Sequence, residues 1–331
     1  MKNGLVAVKN ALASARRVLI VSHVNPDGDA VGSVVALAHI VLHLGHEARV
    51  YLQSGVPEAL SWLPLPAPLV RSLGELGGWT PDALVFADCG DMHRPGKELT
   101  AFMQGEVPTL PRQNIVTVNI DHHISNPGFA DVNWVEPESA ATGELVGRLA
   151  EECSLPLTGG LGEALYLAVA SDTGNFSYSN TGAGCLALAA RIVAQGLDVG
   201  AFTNNYENNW TLGRMHLWGK LMSEVTLYAG GAVACSVVPK RYLDELGLGK
   251  DALEGFASWL RKLRGVRVGL FVREDAPSYS KISLRSMGDV ELHPVAAQFG
   301  GGGHAAAAGA EIHLPPDEAA ERVLQALLPI L

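Results

Sequence analysis

The chain has 331 residues, 48% of them apolar, with 24 basic and 34 acidic side chains and a formal net charge of −10. That length predicts about two domains, and that charge has the wrong sign for a protein that follows a long duplex by counterion release. The longest apolar stretch, Ala30 to Leu44, is interrupted by His39 and His43 and falls short of the roughly 20 residues a bilayer requires, so no membrane span is expected.

In chain order, Leu5, Val8 and Leu12 stand at helical spacing around Lys9, which predicts an amphipathic first helix rather than a secretory leader. Four short runs rich in Val, Ile and Leu read as strands: Arg17 to His23, Ala48 to Gln53, Ala83 to Asp88 and Asn114 to Asp121. A helical pattern over Ala30 to Leu44 separates the first two, and this alternation predicts a mostly parallel sheet with right-handed crossovers. Further helices are expected at Ser139 to Glu152, Leu161 to Ser171 and Ala183 to Gln195.

From Gly196 to Trp218 the text turns polar and irregular around NNYENNW and reads as a connector. A smaller α/β domain is expected beyond it, with strands at Glu224 to Tyr228, Ala232 to Val238, Val266 to Arg273 and Lys281 to Ser286. Its helices are expected at Lys250 to Arg264 and Pro316 to Leu328. The acidic excess is concentrated early: up to Gly219 there are 12 basic and 21 acidic residues, and beyond it 12 and 13. Cys89, Cys153, Cys185 and Cys235 are scattered, without a C-x-x-C pair, which fits a reducing compartment and places the protein in the cytoplasm.

The first strand runs into S-H-V-N-P-D-G-D-A-V-G-S, which sets His23, Asp27 and Asp29 before the next helix, at the carboxyl edge where open parallel sheets bind ligands. Gly28 and Gly32 would let the backbone turn tightly and aim helix-start N–H groups at an anion. Asp29 alone reads equally as a helix cap. The third strand ends in F-A-D-C-G-D and the fourth in I-D-H-H, so Asp88, His122 and His123 reach the same edge. Asp172, in A-S-D-T-G-N-F, adds another carboxylate.

Two divalent ions about 3.5 to 4 Å apart need roughly this supply of side chains, with one carboxylate bridging. Carboxylates and imidazoles without thiolates favour manganese over zinc. Cys89 is expected to turn to the other side of the sheet from Asp88. His39 and His43 lack a third ligand and fit an amphipathic helix. Tyr206, Trp210 and Trp218 are able to stack bases, with hinge packing the expectation. His93 and Arg94 follow Asp91 in a loop beside the metals, where Arg94 reads as structural. Near the C-terminus, Q-F-G-G-G-G-H-A-A-A-A-G permits close backbone approach at Gly301, Gly302 and Gly303, whose N–H groups would cradle phosphate. His304 would add a donor from the head of a following helix.

HVNPDGDA, ADCGD, DHH, ASDTGNF and GGGGHAAAAG, in this order and spacing, resemble the DHH and DHHA1 phosphoesterases, in particular the nano-RNases that also act on 3′-phosphoadenosine 5′-phosphate. The resemblance covers nearly the whole chain. It implies an α/β fold in two domains: an N-terminal DHH domain (1–195) with a mostly parallel sheet flanked by helices, a connector (196–218) and a smaller C-terminal DHHA1 domain (219–331). It implies two manganese ions, with magnesium or cobalt as substitutes, one held by His23, Asp27 and Asp88 and the other by Asp29, Asp88, His122 and Asp172.

Catalysis would then rest on the bridging Asp88 and on His123, which would contact phosphate and protonate the leaving group, with Asp121 orienting an imidazole from behind. Arg285, in K-I-S-L-R-S, resembles the family's substrate-binding arginine and would act with Gly301, Gly302, Gly303 and His304. The implied activity is hydrolysis of short oligonucleotides to mononucleotides, and of 3′-phosphoadenosine 5′-phosphate to AMP, by water activated between two metals. Its partners would be small nucleotides, with no long duplex, no membrane and a homodimer left open. The alternative is a cyclic-di-AMP phosphodiesterase. A non-catalytic nucleotide-binding regulator is disfavoured, because every mapped ligand position holds a suitable residue.

Overall fold

The structure, a computed structural model, describes residues 4–107, 112–287, 290–303 and 305–331, with the backbone alone at Gln113. The chain divides into two units, Met1–Asn209 and Trp210–Leu331, so the division falls within the expected connector.

In the first unit, aliphatic runs buried on both faces form β1 (Arg17–Val21), β2 (Glu47–Tyr51), β3 (Leu69–Val70), β4 (Ala83–Ala87), β5 (Val116–Asp121) and β6 (Val132–Val135). Such runs suit parallel strands covered by helices on both sides. Every described pairing among them is parallel, in the order β3-β2-β1-β4-β5-β6. The order runs outward from β1 and β4, so connections leave these two strands in opposite directions and open a crevice at their carboxyl ends. His23 and Asp88, read as the last residues of strands, lie just past those ends.

The unit's helices are α1 (Gly4–Ser14), α2 (Gly28–His43), α3 (Lys97–Met103), α4 (Thr142–Glu152), α5 (Gly159–Asp172), α6 (Ala183–Ala194) and α7 (Val199–Tyr206). Val18 and Ile20 of β1 face a core shared with α1, α2, α4 and α5, whereas Leu19 and Val21 face Phe86, Leu99 and Phe102 on the other side. Helix α2 buries 13 of its 16 residues, as a helix apolar nearly all round must. A Cβ at Gly28 would stand 2.6 Å from Ser171 Cβ, and one at Gly32 would strike the Ala164 carbonyl of α5. Neither glycine has a positive φ. Both serve close helix packing, which corrects the expected tight turn.

The second unit holds α8 (Leu212–Ser223), β7 (Thr226–Tyr228), β8 (Val233–Val238), α9 (Lys240–Leu246), α10 (Phe256–Trp259), β9 (Val268–Ala276), β10 (Tyr279–Ser286), α11 (His293–Ala297), β11 (Gly302–Gly303), β12 (Ala307–Ile312) and α12 (Pro316–Leu327). Its sheet order is β11-β12-β10-β9-β8-β7, antiparallel except at β8 and β9. Both units are therefore α/β.

Three local expectations change. Residues 196–218 carry α7 and the start of α8 rather than irregular chain, since Asp198 and Thr211 cap these helices by accepting from Ala201 N at 3.0 Å and Arg214 N at 3.1 Å. The helix expected over Lys250 to Arg264 breaks at Glu254 and Gly255: the extended Glu254 ends the preceding 3₁₀ turn, and Gly255, with φ +85°, precedes α10. The alanine run expected to head a helix is β12: Ala308, Ala310 and Ile312 alternate into the core, and pairing with β10 overrides alanine's helix preference. His304 lies outside the described residues. Among the described residues, no single helix is long and apolar enough to cross a membrane.

Candidate metal centre

Ser22 Oγ donates to the Ala87 carbonyl at 2.8 Å, which ties the carboxyl ends of β1 and β4 together. His23 follows, its Nδ1 3.0 Å from the Val24 carbonyl. A carbonyl only accepts, so the proton sits on Nδ1 and the neutral ring presents a lone pair at Nε2. That Nε2 is buried without a well-formed hydrogen bond, 3.4 Å from Asp88 Oδ2 and 4.0 Å from Asp27 Oδ1.

Asp27, not Asp29, caps α2, its Oδ1 accepting from Ala30 N at 3.1 Å. Asp29 is buried in the first turn and turns to the start of α4, accepting from Thr142 N at 2.7 Å, Gly143 N at 2.9 Å and Ser33 Oγ at 3.1 Å. The free N–H groups and positive end of α4 are a natural seat for that charge. Asp88 has φ +57°, a left-handed backbone rare outside glycine and concentrated at functional sites. Its Oδ1 accepts from Thr142 Oγ1 at 3.1 Å.

His122 repeats the geometry of His23: Nδ1 donates to the Ser139 carbonyl at 3.2 Å. Its Nε2 faces Asp172 Oδ2 at 3.2 Å, Asp88 Oδ1 at 3.7 Å and Asp29 Oδ2 at 3.9 Å. His123 Nδ1 lies 2.7 Å from Asp121 Oδ1 and 3.6 Å from Asp88 Oδ1. Asn126 Nδ2 donates to the other oxygen of Asp121 at 2.5 Å.

Three overlapping triads result, His23–Asp27–Asp88, Asp29–His122–Asp172 and Asp88–His122–His123, each with its ligating atoms within 4.8 Å of one another. The donor set fits divalent ions, because two imidazoles offer Nε2 lone pairs with Nδ1 committed to carbonyls. Cys89 stays out of it, its thiol buried among Phe86, Leu99 and Phe102 with Sγ 3.4 Å from the Ala87 carbonyl, and so leaves the set hard.

The charges respond to this crowding. Burial, with the charges of Asp88 and Asp172, pushes Asp29 well above the usual carboxylate range. Burial, with Asp27 and Asp88, lifts Asp172 up to about 6 against the pull of His122. Burial would raise Asp88, yet His23, His123 and His122 hold it below the usual range. For His122 burial works downward, but the hydrogen bond to Asp172 and the charges of Asp29, Asp172 and Asp88 carry it up to about 11. Without a metal, a proton on His122 thus supplies positive charge that the carboxylates demand.

All six proposed ligands and Asp121 and His123 therefore meet in the first unit. Thr142, which donates to both Asp29 and Asp88, carries no motif in the sequence beyond T-G at the start of an amphipathic helix. Arg285, Gly301, Gly302 and Gly303 lie in the second unit. Arg285 pairs with Ala307 on one side of β12, while Gly302 and Gly303 pair with Gly309 and Ala308 on the other, and Arg285 Nη1 donates to the Leu284 carbonyl at 3.0 Å. A Cβ at Gly301 would strike the Gly309 carbonyl and Ala310, so this glycine also serves strand packing. His39 and His43 join no metal-holding group among the described residues.

Residues 17–169 match the DHH family, N-terminal domain, and residues 230–330 match the DHHA1 domain. The chain is 31% identical over 314 residues to the bifunctional oligoribonuclease and PAP phosphatase NrnA of Thermus thermophilus, across 94% of this chain and 89% of that protein. It is 25% identical over 301 residues to the protein of the same name from Bacillus subtilis, across 89% of each. The solved structure of an exopolyphosphatase-related protein from Bacteroides fragilis matches with a TM-score of 0.88 at 26% identity, over 98% of this chain and 95% of that one.

Proposed function

The chain belongs to the DHH family, with a DHHA1 domain in its second part, and is a phosphoester hydrolase; on that premise we propose that it cleaves short oligonucleotides to mononucleotides and 3′-phosphoadenosine 5′-phosphate to AMP, using two manganese ions. The observation that carries this is the set of triads sharing Asp88 and His122 at the mouth of the β1/β4 crevice. His23, Asp27 and Asp88 would hold one ion, and Asp29, Asp88, His122 and Asp172 the other, with magnesium or cobalt as substitutes. Bound there, the ions supply Lewis-acid stabilisation of the phosphoryl charge and make water a stronger nucleophile.

The chain's own groups do the rest. Asp121 fixes the His123 ring through Nδ1. Burial works against a charged ring, but Asp121 and Asp88 raise His123 overall, which favours the protonated form that would give its Nε2 proton to the departing oxygen. Water's oxygen bonds to phosphorus, the ester P–O bond breaks and the leaving hydroxyl takes that proton. In the second unit, substrate binding is assigned to Arg285, Gly301, Gly302, Gly303 and His304. A cytoplasmic location goes with this reading, and all four cysteines are free.

The test is purified protein with manganese, offered a dinucleotide, 3′-phosphoadenosine 5′-phosphate and cyclic-di-AMP. Turnover of the first two is expected; turnover of cyclic-di-AMP alone would replace this reading with the cyclic-dinucleotide one, and turnover of none would reject both.

A further inference from the structure

Arg94 lies in the loop between β4 and α3, six residues after Asp88. Its main chain is a fixed point: its carbonyl accepts from Val24 N at 2.9 Å, which anchors it to the residue after His23. Behind it the loop is tightly packed, since a Cβ at Gly96 would strike the Gln53 side chain. The Arg94 side chain is exposed and has no ion pair or hydrogen bond among the described residues. Its charge nevertheless reaches the centre, working against protonation of His23 and in favour of ionising buried Cys89.

A guanidinium whose main chain is fixed beside a site for two divalent cations is electrostatically unfavourable there, unless an anion comes to lie among the three charges. The anion this centre would receive is phosphate, whose geometry an arginine matches with two parallel N–H donors. We propose that Arg94 is a substrate-binding residue that grips the non-bridging oxygens of the scissile phosphate from the His23 side of the centre. This rests on the phosphoesterase reading and replaces the structural role its sequence context suggested.

Arg94→Gln, Arg94→Lys and a charge control, Lys97→Gln, would be compared with the wild type by dinucleotide kinetics, by calorimetric binding of AMP to the manganese-loaded protein, and by manganese titration. Expected for Arg94→Gln are at least about a tenfold rise in KM and a similar weakening of AMP, the scale of a charge-assisted hydrogen bond lost. Partial recovery is expected in Arg94→Lys, near wild-type behaviour in Lys97→Gln, and manganese binding unchanged or tighter. The proposal is overturned if Arg94→Gln binds AMP like the wild type, if Lys97→Gln loses as much, or if manganese binding falls by the same factor. Hydrolysis by none of the proteins, wild type included, would overturn the phosphoesterase reading and this inference with it.

Discussion

His123 Nδ1 and Asp121 Oδ1 lie 2.7 Å apart, and the fully buried Asp121 anchors its second oxygen on Asn126. This pair sets which nitrogen of His123 addresses the substrate. Asp121→Asn keeps the shape but removes the charge that orients and raises the ring. The expected result is a fall in kcat of about 10- to 100-fold, with KM and metal binding near wild type. Kinetics run beside a metal titration check it; metal binding that fell in step with kcat would make Asp121 part of the metal set.

Thr142 reaches Asp29 through its N–H and Asp88 through its hydroxyl. Thr142→Val removes only the hydroxyl. A carboxylate that loses an orienting donor should hold metal about tenfold less tightly, while the backbone bond to Asp29 persists. Calorimetric manganese titration reads this directly, and unchanged affinity would show that Asp88 is positioned without Thr142.

Metal loading should release protons. His122, carried up to about 11, is protonated at neutral pH, and Asp172, near 6, takes up a second proton below that value. Ligation needs both deprotonated. Asp29, raised by burial with neighbouring carboxylates, and His23, raised against burial by Asp88 and Asp27, must also give up any proton they hold, so manganese affinity should rise with pH. Calorimetry in buffers of different ionisation enthalpy counts those protons; a pH-independent affinity would contradict the ligand assignment of His122.

Two glycines should behave oppositely. A methyl at Gly32 meets the Ala164 carbonyl, whereas one at Gly219, on the exposed side of α8, meets nothing within 4 Å. Gly32→Ala should cost about 1–3 kcal/mol by overpacking α2 on α5. Gly219→Ala should gain about 0.5–1 kcal/mol through helix propensity. Urea unfolding of both variants measures the difference.

Much of the centre was legible in the sequence because parallel strands deliver their chemistry at one edge: His23, Asp88 and His122 each follow an aliphatic run. Cys89 is buried as expected, although it lies past the end of β4, where the left-handed backbone of Asp88 interrupts strand alternation. Roles that depend on packing across the unit were not legible. Gly28 and Gly32 read as turn residues because α5, which packs against them, is remote in sequence, and Thr142 acquires its partners only because α4 points its start at Asp29. β3 and β6, with 2 and 4 residues, are too short to show a period. Ala307–Ile312 reads as helix by composition, and only its place beside β10 makes it a strand.

The central claim, that one carboxylate joins two metal subsites for phosphoester hydrolysis, is tested most directly by titrating manganese into metal-stripped protein and following dinucleotide cleavage, in the wild type and in Asp88→Ala. The account predicts no cleavage without metal, full activity at about two equivalents per chain, and neither activity nor the second equivalent in Asp88→Ala. Cleavage that survived metal removal, or an Asp88→Ala variant with wild-type turnover, would contradict it.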